Sequence, residues 1–203
     1  MEISVIVTNY NYEAYIGRCL RSLISQSIDK KNYEIICVDD GSTDNSHRII
    51  STFENEVRPV MLKENVGLAS AANAGLRVAT GRLIVRVDSD DYVHPDFLRV
   101  LLLSNELFGA DYDAFALDYT EVDEFGNHTR NMSSKEYPIA CAIAFKMEAL
   151  RVIGAYKEGL RIFEEKEFME RFVKSGLKLC HINIPLYRYV QHNKSLSRGG
   201  IFR

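Results

Sequence analysis

Leu83-Ile84-Val85-Arg86-Val87 runs straight into Asp88-Ser89-Asp90-Asp91. A short apolar run of this kind reads as a strand covered on both faces. In an open parallel sheet, the residues just past the carboxyl end of a strand meet the ligand. The same pattern occurs twice upstream. Residues 3–7 lead into Thr8, Asn9 and Tyr10, and residues 33–38 lead into Asp39-Asp40-Gly41-Ser42. Three strand ends therefore carry polar clusters, five of whose members are carboxylates. Gathered at one edge, those acids repel one another unless a cation or hydrogen-bond donors offset them.

The stretches between these strands read as helices. Tyr15, Ile16, Cys19, Leu20, Leu23 and Ile24 form one apolar stripe, and Ile49, Ile50 and Phe53 form another. Residues 68–79 make a small-residue helix closed by Gly81, residues 60–62 a short strand, and Pro95 opens a helix carrying Phe97, Leu98, Leu101 and Leu102. The β-α-β-α rhythm predicts an α/β fold with a mainly parallel central sheet flanked by helices. The second half is less regular and predicts a smaller, mixed β portion. Strands are expected over residues 113–122, 140–145, 179–182 and 186–190, with a turn at Gly126 and helices over 147–153 and 164–175. One domain over residues 1–203 is the simplest organisation.

The chain has 203 residues, 46% of them hydrophobic and 26% charged, with a net charge of -3. That mix suits a globular protein and argues against a nucleic-acid partner. No apolar run reaches the ~20 residues of a membrane span. Met1 and Glu2 lead directly into the first strand, so no leader is expected, nor a membrane segment after His192. Cys19, Cys37, Cys141 and Cys180 sit among apolar neighbours without a C-x-x-C pair and read as free buried thiols of a cytoplasmic protein.

Asp88 and Asp90, at i and i+2 past a strand, can share one cation. Hard oxygen ligands suit Mg2+ or Mn2+, which fill their remaining positions with water and phosphate oxygens. The competing reading is a solvated acidic turn before the next helix. Asp39 and Asp40 also have two readings. One is a turn followed by a helix cap at Ser42 or Thr43. The other is a carboxylate that accepts a hydrogen bond from the ring N–H of a pyrimidine.

Together, Ser4–Asn11 (Ser-Val-Ile-Val-Thr-Asn-Tyr-Asn), Val38–Asp44 (Val-Asp-Asp-Gly-Ser-Thr-Asp), Asn65-Val66-Gly67-Leu68 with Asn73-Ala74-Gly75, and Asp88–Asp91 resemble family 2 glycosyltransferases of the GT-A (Rossmann-like) fold, in the family's order and spacing. The resemblance implies an inverting, metal-dependent transfer of a sugar from a nucleotide diphosphate donor, best a UDP-sugar, to a hydroxyl of a saccharide or lipid-linked saccharide during surface polysaccharide synthesis. It divides the chain into a nucleotide-sugar half, residues 1–110, and an acceptor and catalytic-base half, residues 111–203. It places Thr8, Tyr10, Asp40 and Asn73 at the nucleotide, with Asp39 on the ribose side and Asp88 beside them. It makes Asp90, with Asp88 and His192, the ligands of Mn2+ or Mg2+. It makes Glu165 the catalytic base, with Glu where the family has Asp and with Glu164 or Glu167 as alternatives. Gly154-Ala155-Tyr156 resembles an element near the acceptor. Ala72 stands where many relatives have Arg, leaving Arg82, Arg86 or Arg198 to compensate. Self-association and peripheral membrane contact stay open.

The rival readings are weaker. A sugar nucleotidyltransferase needs a glycine-rich loop after the first strand, and no glycine occurs there before Gly17. No G-x-G-x-x-G follows a strand, which disfavours an NAD enzyme. A non-catalytic nucleotide-sugar binder or scaffold remains the alternative from another class.

Overall fold

Every residue of β1 (Ile3–Asn9) is buried. It hydrogen-bonds in parallel to β2 (Tyr33–Asp39) on one side and β4 (Leu83–Asp88) on the other. The strand β3 (Arg58–Met61) extends this parallel block beyond β2. The continuous apolar runs of β1, β2 and β4 follow from this placement, since these three strands are covered on both faces. Residues of β1 alternate between two cores. Ile3, Val5 and Val7 pack with α1 (Glu13–Ile24), α2 (Ser46–Ser51) and α4 (Phe97–Phe108). Ile6 packs on the other face with α3 (Leu68–Val78), α5 (Met147–Ile153) and α6 (Glu164–Lys174).

Beyond β4 the sheet turns mixed. The strand β8 (Ile143–Lys146) runs antiparallel to both β4 and β6 (Ala114–Asp123), while β9 (Leu179–Gln191) runs parallel to β6. Two short elements complete it. The strand β5 (Tyr92–Val93) pairs with β9, and β7 (His128–Met132) forms a hairpin with β6. The full order is β3-β2-β1-β4-β8-β6-β9-β5, with β7 on β6. This is the expected single α/β domain with helices on both faces. The computed structural model describes residues 1–159 and 164–192, so Arg198 and the side chain of Glu164 lie outside the described residues.

Several expectations need correction. The two strands expected over 179–182 and 186–190 are one, β9, with a register shift opposite Leu117 and Tyr119. Residues 140–142 precede β8 rather than belong to it. Gly81 does not close α3, whose last residue is Val78, with Ala79 as its C-cap. Instead Gly81 lies against β1, where a Cβ would come within 2.4 Å of the Ser4 backbone nitrogen. Neither Ser42 nor Thr43 caps α2. That helix starts at Ser46, whose N–H donates to the Asp44 carboxylate at 2.9 Å. All four cysteines are free, and three are buried. Among the described residues, no helix is long and apolar enough to cross a membrane.

The small residues of α3 are a packing requirement. A Cβ on Gly75 would sit 2.5 Å from Cγ2 of Ile6. Two effects compete in Gly75→Ala. Helix propensity favours Ala by ~1 kcal/mol, while overpacking a core costs ~1–3 kcal/mol. Ile6 is β-branched and held in a central strand, so it cannot yield cheaply. Urea unfolding should therefore show Gly75→Ala to be destabilising in the parent chain. In an Ile6→Ala background the same change should be neutral or stabilising.

Candidate active site

The register of β1 puts the strand ends side by side. Thr8 faces Val38 on one side and Asp88 on the other, and Asn9 faces Asp39. Asp39 and Asp40 are both buried, and both are held by donors. Asp39 Oδ1 accepts from Asn9 Nδ2 at 2.8 Å and from Ser42 Oγ at 2.6 Å, and its Oδ2 accepts from Ser42 N at 3.2 Å. Asp40 accepts from the backbone N–H groups of Val66 at 2.8 Å and Gly67 at 2.9 Å, and from Asn65 Nδ2 at 2.9 Å. Gly41 makes this close turn feasible. Its φ is +68°, and a Cβ there would lie 2.5 Å from the backbone of Glu64. Burial and the charge of Asp39 raise the Asp40 pKa, against the pull of the two backbone N–H groups. With about four lone-pair sites per carboxylate, each acid keeps roughly one acceptor position for a ligand. Thr8 is nearly buried, whereas Tyr10 is 42% exposed and presents its ring to solvent at this edge.

Asn73, expected at the nucleotide, has another task. Its Oδ1 accepts from Tyr156 N at 2.9 Å, and its Nδ2 donates to Tyr156 O at 2.9 Å and Glu158 Oε1 at 3.1 Å. Both amide donors are used in stapling α3 to the segment after α5, a contact across 83 positions that no local pattern announces.

The acids after β4 point in different directions. Asp91 turns inward, where Tyr187 Oη donates to Oδ2 at 2.6 Å and Val190 N donates to Oδ1 at 2.8 Å. Burial, reinforced by Asp90 and Asp88, raises its pKa well above the ordinary range. Asp91 thus ties down β9 and brings His192, two residues past Val190, to the same edge. There His192 Nε2 lies 2.9 Å from Asp90 Oδ2. The imidazole stacks on Tyr15, centroids 4.6 Å apart, and meets Tyr12 edge-on at 5.7 Å. Two of the expected metal ligands are therefore adjacent. Asp88, the third, is desolvated, which raises its pKa against the opposing charge of Arg86.

The donor types at this edge, carboxylate oxygens and an imidazole, are ones a divalent cation accepts. Ligand atoms of Asp88, Asp91 and Cys141 lie within 4.8 Å of one another. Asp91 is already bonded twice, and Asp90 and His192, though paired with each other, are not drawn into one such group with Asp88.

Sequence reasoning gave Arg86 only the task of compensating for Ala72. The structure buries it on β4 with a side chain 5% exposed. Its Nη2 pairs with Glu165 Oε1, and its Nε lies 3.2 Å from Asp88 Oδ1. Ala72 lines the same small cavity, of about 20 Å³, together with Tyr156 and Phe168. The available signal was the charge itself, since Arg in a strand covered on both faces is rarely tolerated unless paired. Glu165 lies at this spot, in the first turn of α6. Glu167 faces elsewhere, paired with Arg171 at 2.8 Å, and Arg171 also donates to the carbonyls of Ile153 and Ala155. Of the candidate bases whose side chains are described, Glu165 alone reaches the strand ends.

The comparisons agree with this geometry. The profile described as glycosyl transferase family 2 matches residues 4–178. Glycosyltransferase GlyA of Streptococcus pneumoniae is 41% identical over 97% of this chain, which spans 32% of that protein. Glycosyltransferase GlyG of the same species is 31% identical over 97% of the chain, which spans 73% of it. A poly(ribitol-phosphate) beta-glucosyltransferase of Bacillus spizizenii is 39% identical over 48% of the chain, which spans 16% of it. The chain thus covers less than a third of two of these three relatives. Among solved structures, S. aureus TarS in complex with UDP-GlcNAc superposes with a TM-score of 0.82 at 22% identity, over 96% of this chain and 60% of that one. Mannosyltransferase PcManGT from Pyrobaculum calidifontis, in complex with GDP-Man and Mn2+, gives 0.74 at 20%, over 96% and 58%. At such identities these two show a shared fold. With the profile covering most of its length, and the strand-end acids, the Asp90–His192 pair and Glu165 assembled on one edge, the chain belongs to glycosyl transferase family 2.

Proposed function

We propose that this glycosyltransferase moves a sugar from a UDP-sugar to a hydroxyl of a growing surface polysaccharide, with inversion and with a divalent metal. The observation that carries the reading is the placement of Glu165 beside Asp88, one guanidinium away from the strand ends. Glu165 Oε1 is held by Arg86, and among the described residues Oε2 has no partner. That oxygen is free to take the proton of an acceptor hydroxyl. The acceptor oxygen then bonds to the anomeric carbon as the bond from that carbon to the diphosphate oxygen breaks. The electron pair leaves on the diphosphate, and the single displacement inverts the configuration. Asp88, Asp90 and His192 would hold the cation, which when bound offsets the charge growing on the diphosphate. Asp39 and Asp40, with one lone pair each to spare, and the exposed ring of Tyr10 would receive the base and ribose. The ligands named for TarS support uridine, and the Mn2+ of PcManGT supports the metal. The free thiols suit a cytoplasmic setting, and the relatives named for polymer synthesis support a polysaccharide acceptor.

Asp90→Asn should abolish sugar transfer and weaken Mn2+-supported UDP binding, measured by calorimetry, by at least tenfold. Excess chelator should do the same to the parent. Full activity in chelator would remove the metal from the mechanism. Parent protein with Mn2+ should bind UDP more tightly than GDP or ADP, and tighter GDP binding would overturn the uridine assignment. General-base help is worth on the order of 10²–10⁴-fold, so Glu165→Gln should lower kcat at least 10²-fold and leave UDP affinity intact. The same change at Glu167 should leave kcat near the parent value. A dead Glu167→Gln beside a fully active Glu165→Gln would move the base to Glu167.

A further inference from the structure

We propose that Arg86 is the positioning residue for the base. It fixes the Glu165 carboxylate relative to Asp88 while leaving one of its oxygens free. This inference rests on the reading of Glu165 as the base.

Four observations carry it. The first is location. Arg86 sits one turn of the pleat before Asp88 on a central strand, in register with Ile6 of β1, so its Cα is as fixed as any in the molecule. The second is shape. A guanidinium is a planar fork, and here its Nε faces Asp88 while Nη2 binds Glu165. One rigid group therefore sets the distance between a strand end and the first turn of α6, which an ammonium on a flexible stem cannot do. The third is the support of the fork. Its carbon lies 5.9 Å from the Tyr156 ring centre, and that ring stacks on Phe168 of α6 with centroids 4.3 Å apart and planes 19° apart. Asn73 grips both backbone polar groups of Tyr156. The Tyr156 hydroxyl, its pKa pushed up to about 12 by burial, stays neutral and adds no competing charge. The fourth is incompleteness. Among the described residues Nη1 of Arg86 is buried without a hydrogen-bond partner, and Nε has only its ion pair with Asp88, so the fork is not arranged for the greatest stability. Buried native donors are nearly always satisfied, and an exception calls for a functional explanation. Holding Glu165 by one oxygen supplies that explanation.

The alternative is that Arg86 merely neutralises buried acids. Arg86→Lys separates the two, because it keeps the charge and loses the fork. The rate to follow is Mn2+-supported hydrolysis of whichever UDP-sugar the parent cleaves fastest among UDP-glucose, UDP-galactose and their N-acetyl forms. Affinity is followed by calorimetry with UDP and Mn2+. Arg86→Lys should keep UDP affinity within about threefold of the parent and lower kcat by about tenfold or more. In a Glu165→Gln background the same substitution should cost less than about twofold, because a base that is gone cannot be misplaced. Arg86→Gln, which keeps a donor without the charge, reports in the same two backgrounds should the lysine variant fail to fold. An equal loss of kcat in both backgrounds, or a fall in UDP affinity as large as the fall in kcat, overturns the proposal. So does an Arg86→Lys variant at the parent rate while Glu165→Gln is dead, and that result leaves the base assignment standing. A Glu165→Gln variant at the parent rate instead sinks the base assignment, and no hydrolysis of any of the four sugars by the parent sinks the donor reading beneath both.

Discussion

The backbone ladder of β1 is the constraint on which the site depends. Its hydrogen bonds to β2 and β4 fix the register at Thr8 opposite Val38 and Asp88, and Asn9 opposite Asp39. A slip of one residue would send Ile6 into the core of Ile3, Val5 and Val7 and break both cores. The apolar alternation thereby enforces a register whose chemical result is a line of polar residues along one edge. Packing has no stake in that edge, yet packing decides where it falls.

An edge so rich in acid has to be made tolerable, and the protein treats each carboxylate separately. Backbone and side-chain donors hold Asp39 and Asp40. A phenol and a backbone N–H hold Asp91, an imidazole meets Asp90, and a guanidinium lies between Asp88 and Glu165. Most of these partners are neutral dipoles, so the edge stays electronegative after all are counted, as a cation requires. The distribution also has a mechanical side. Groups satisfied by backbone donors are fixed by the fold, whereas Asp88, Asp90 and Glu165 are held by side chains.

Elements with a strong period were legible in the sequence. The helix α5 has the expected bounds, and the first four strands lie within two residues of their expected limits. What escaped was weakly patterned. The strand β5 has two residues, and β7 is polar and exposed except at Met132, so neither shows alternation. Within the site, the pattern told which residues arrive at the edge and not where their side chains turn. Asp91 answers to Tyr187, 96 positions away, Asp90 to His192, 102 away, and Arg86 to Glu165, 79 away. Such directions are set by tertiary partners and leave no local trace. The Ala72 substitution was legible as a missing cation and Arg86 as one of three candidate replacements, but Arg86 was singled out only once α3 and β4 faced one cavity.

The staple between Asn73 and Tyr156 bears on how such proteins diversify. The proposed division near residue 110 separates roles, yet the folding unit ignores it. The free side of β4 is closed by β8 from the later half, and the donors of Asn73 are spent on that half as well. An early half made alone would carry a bare central edge, the template for aggregation that natural sheets avoid. Chimeras that graft the acceptor region of one relative onto the nucleotide region of another therefore inherit a compatibility condition. The incoming segment must present its Tyr156 backbone to Asn73 and an acid to Arg86, so recombination between relatives is restricted to partners that share both contacts.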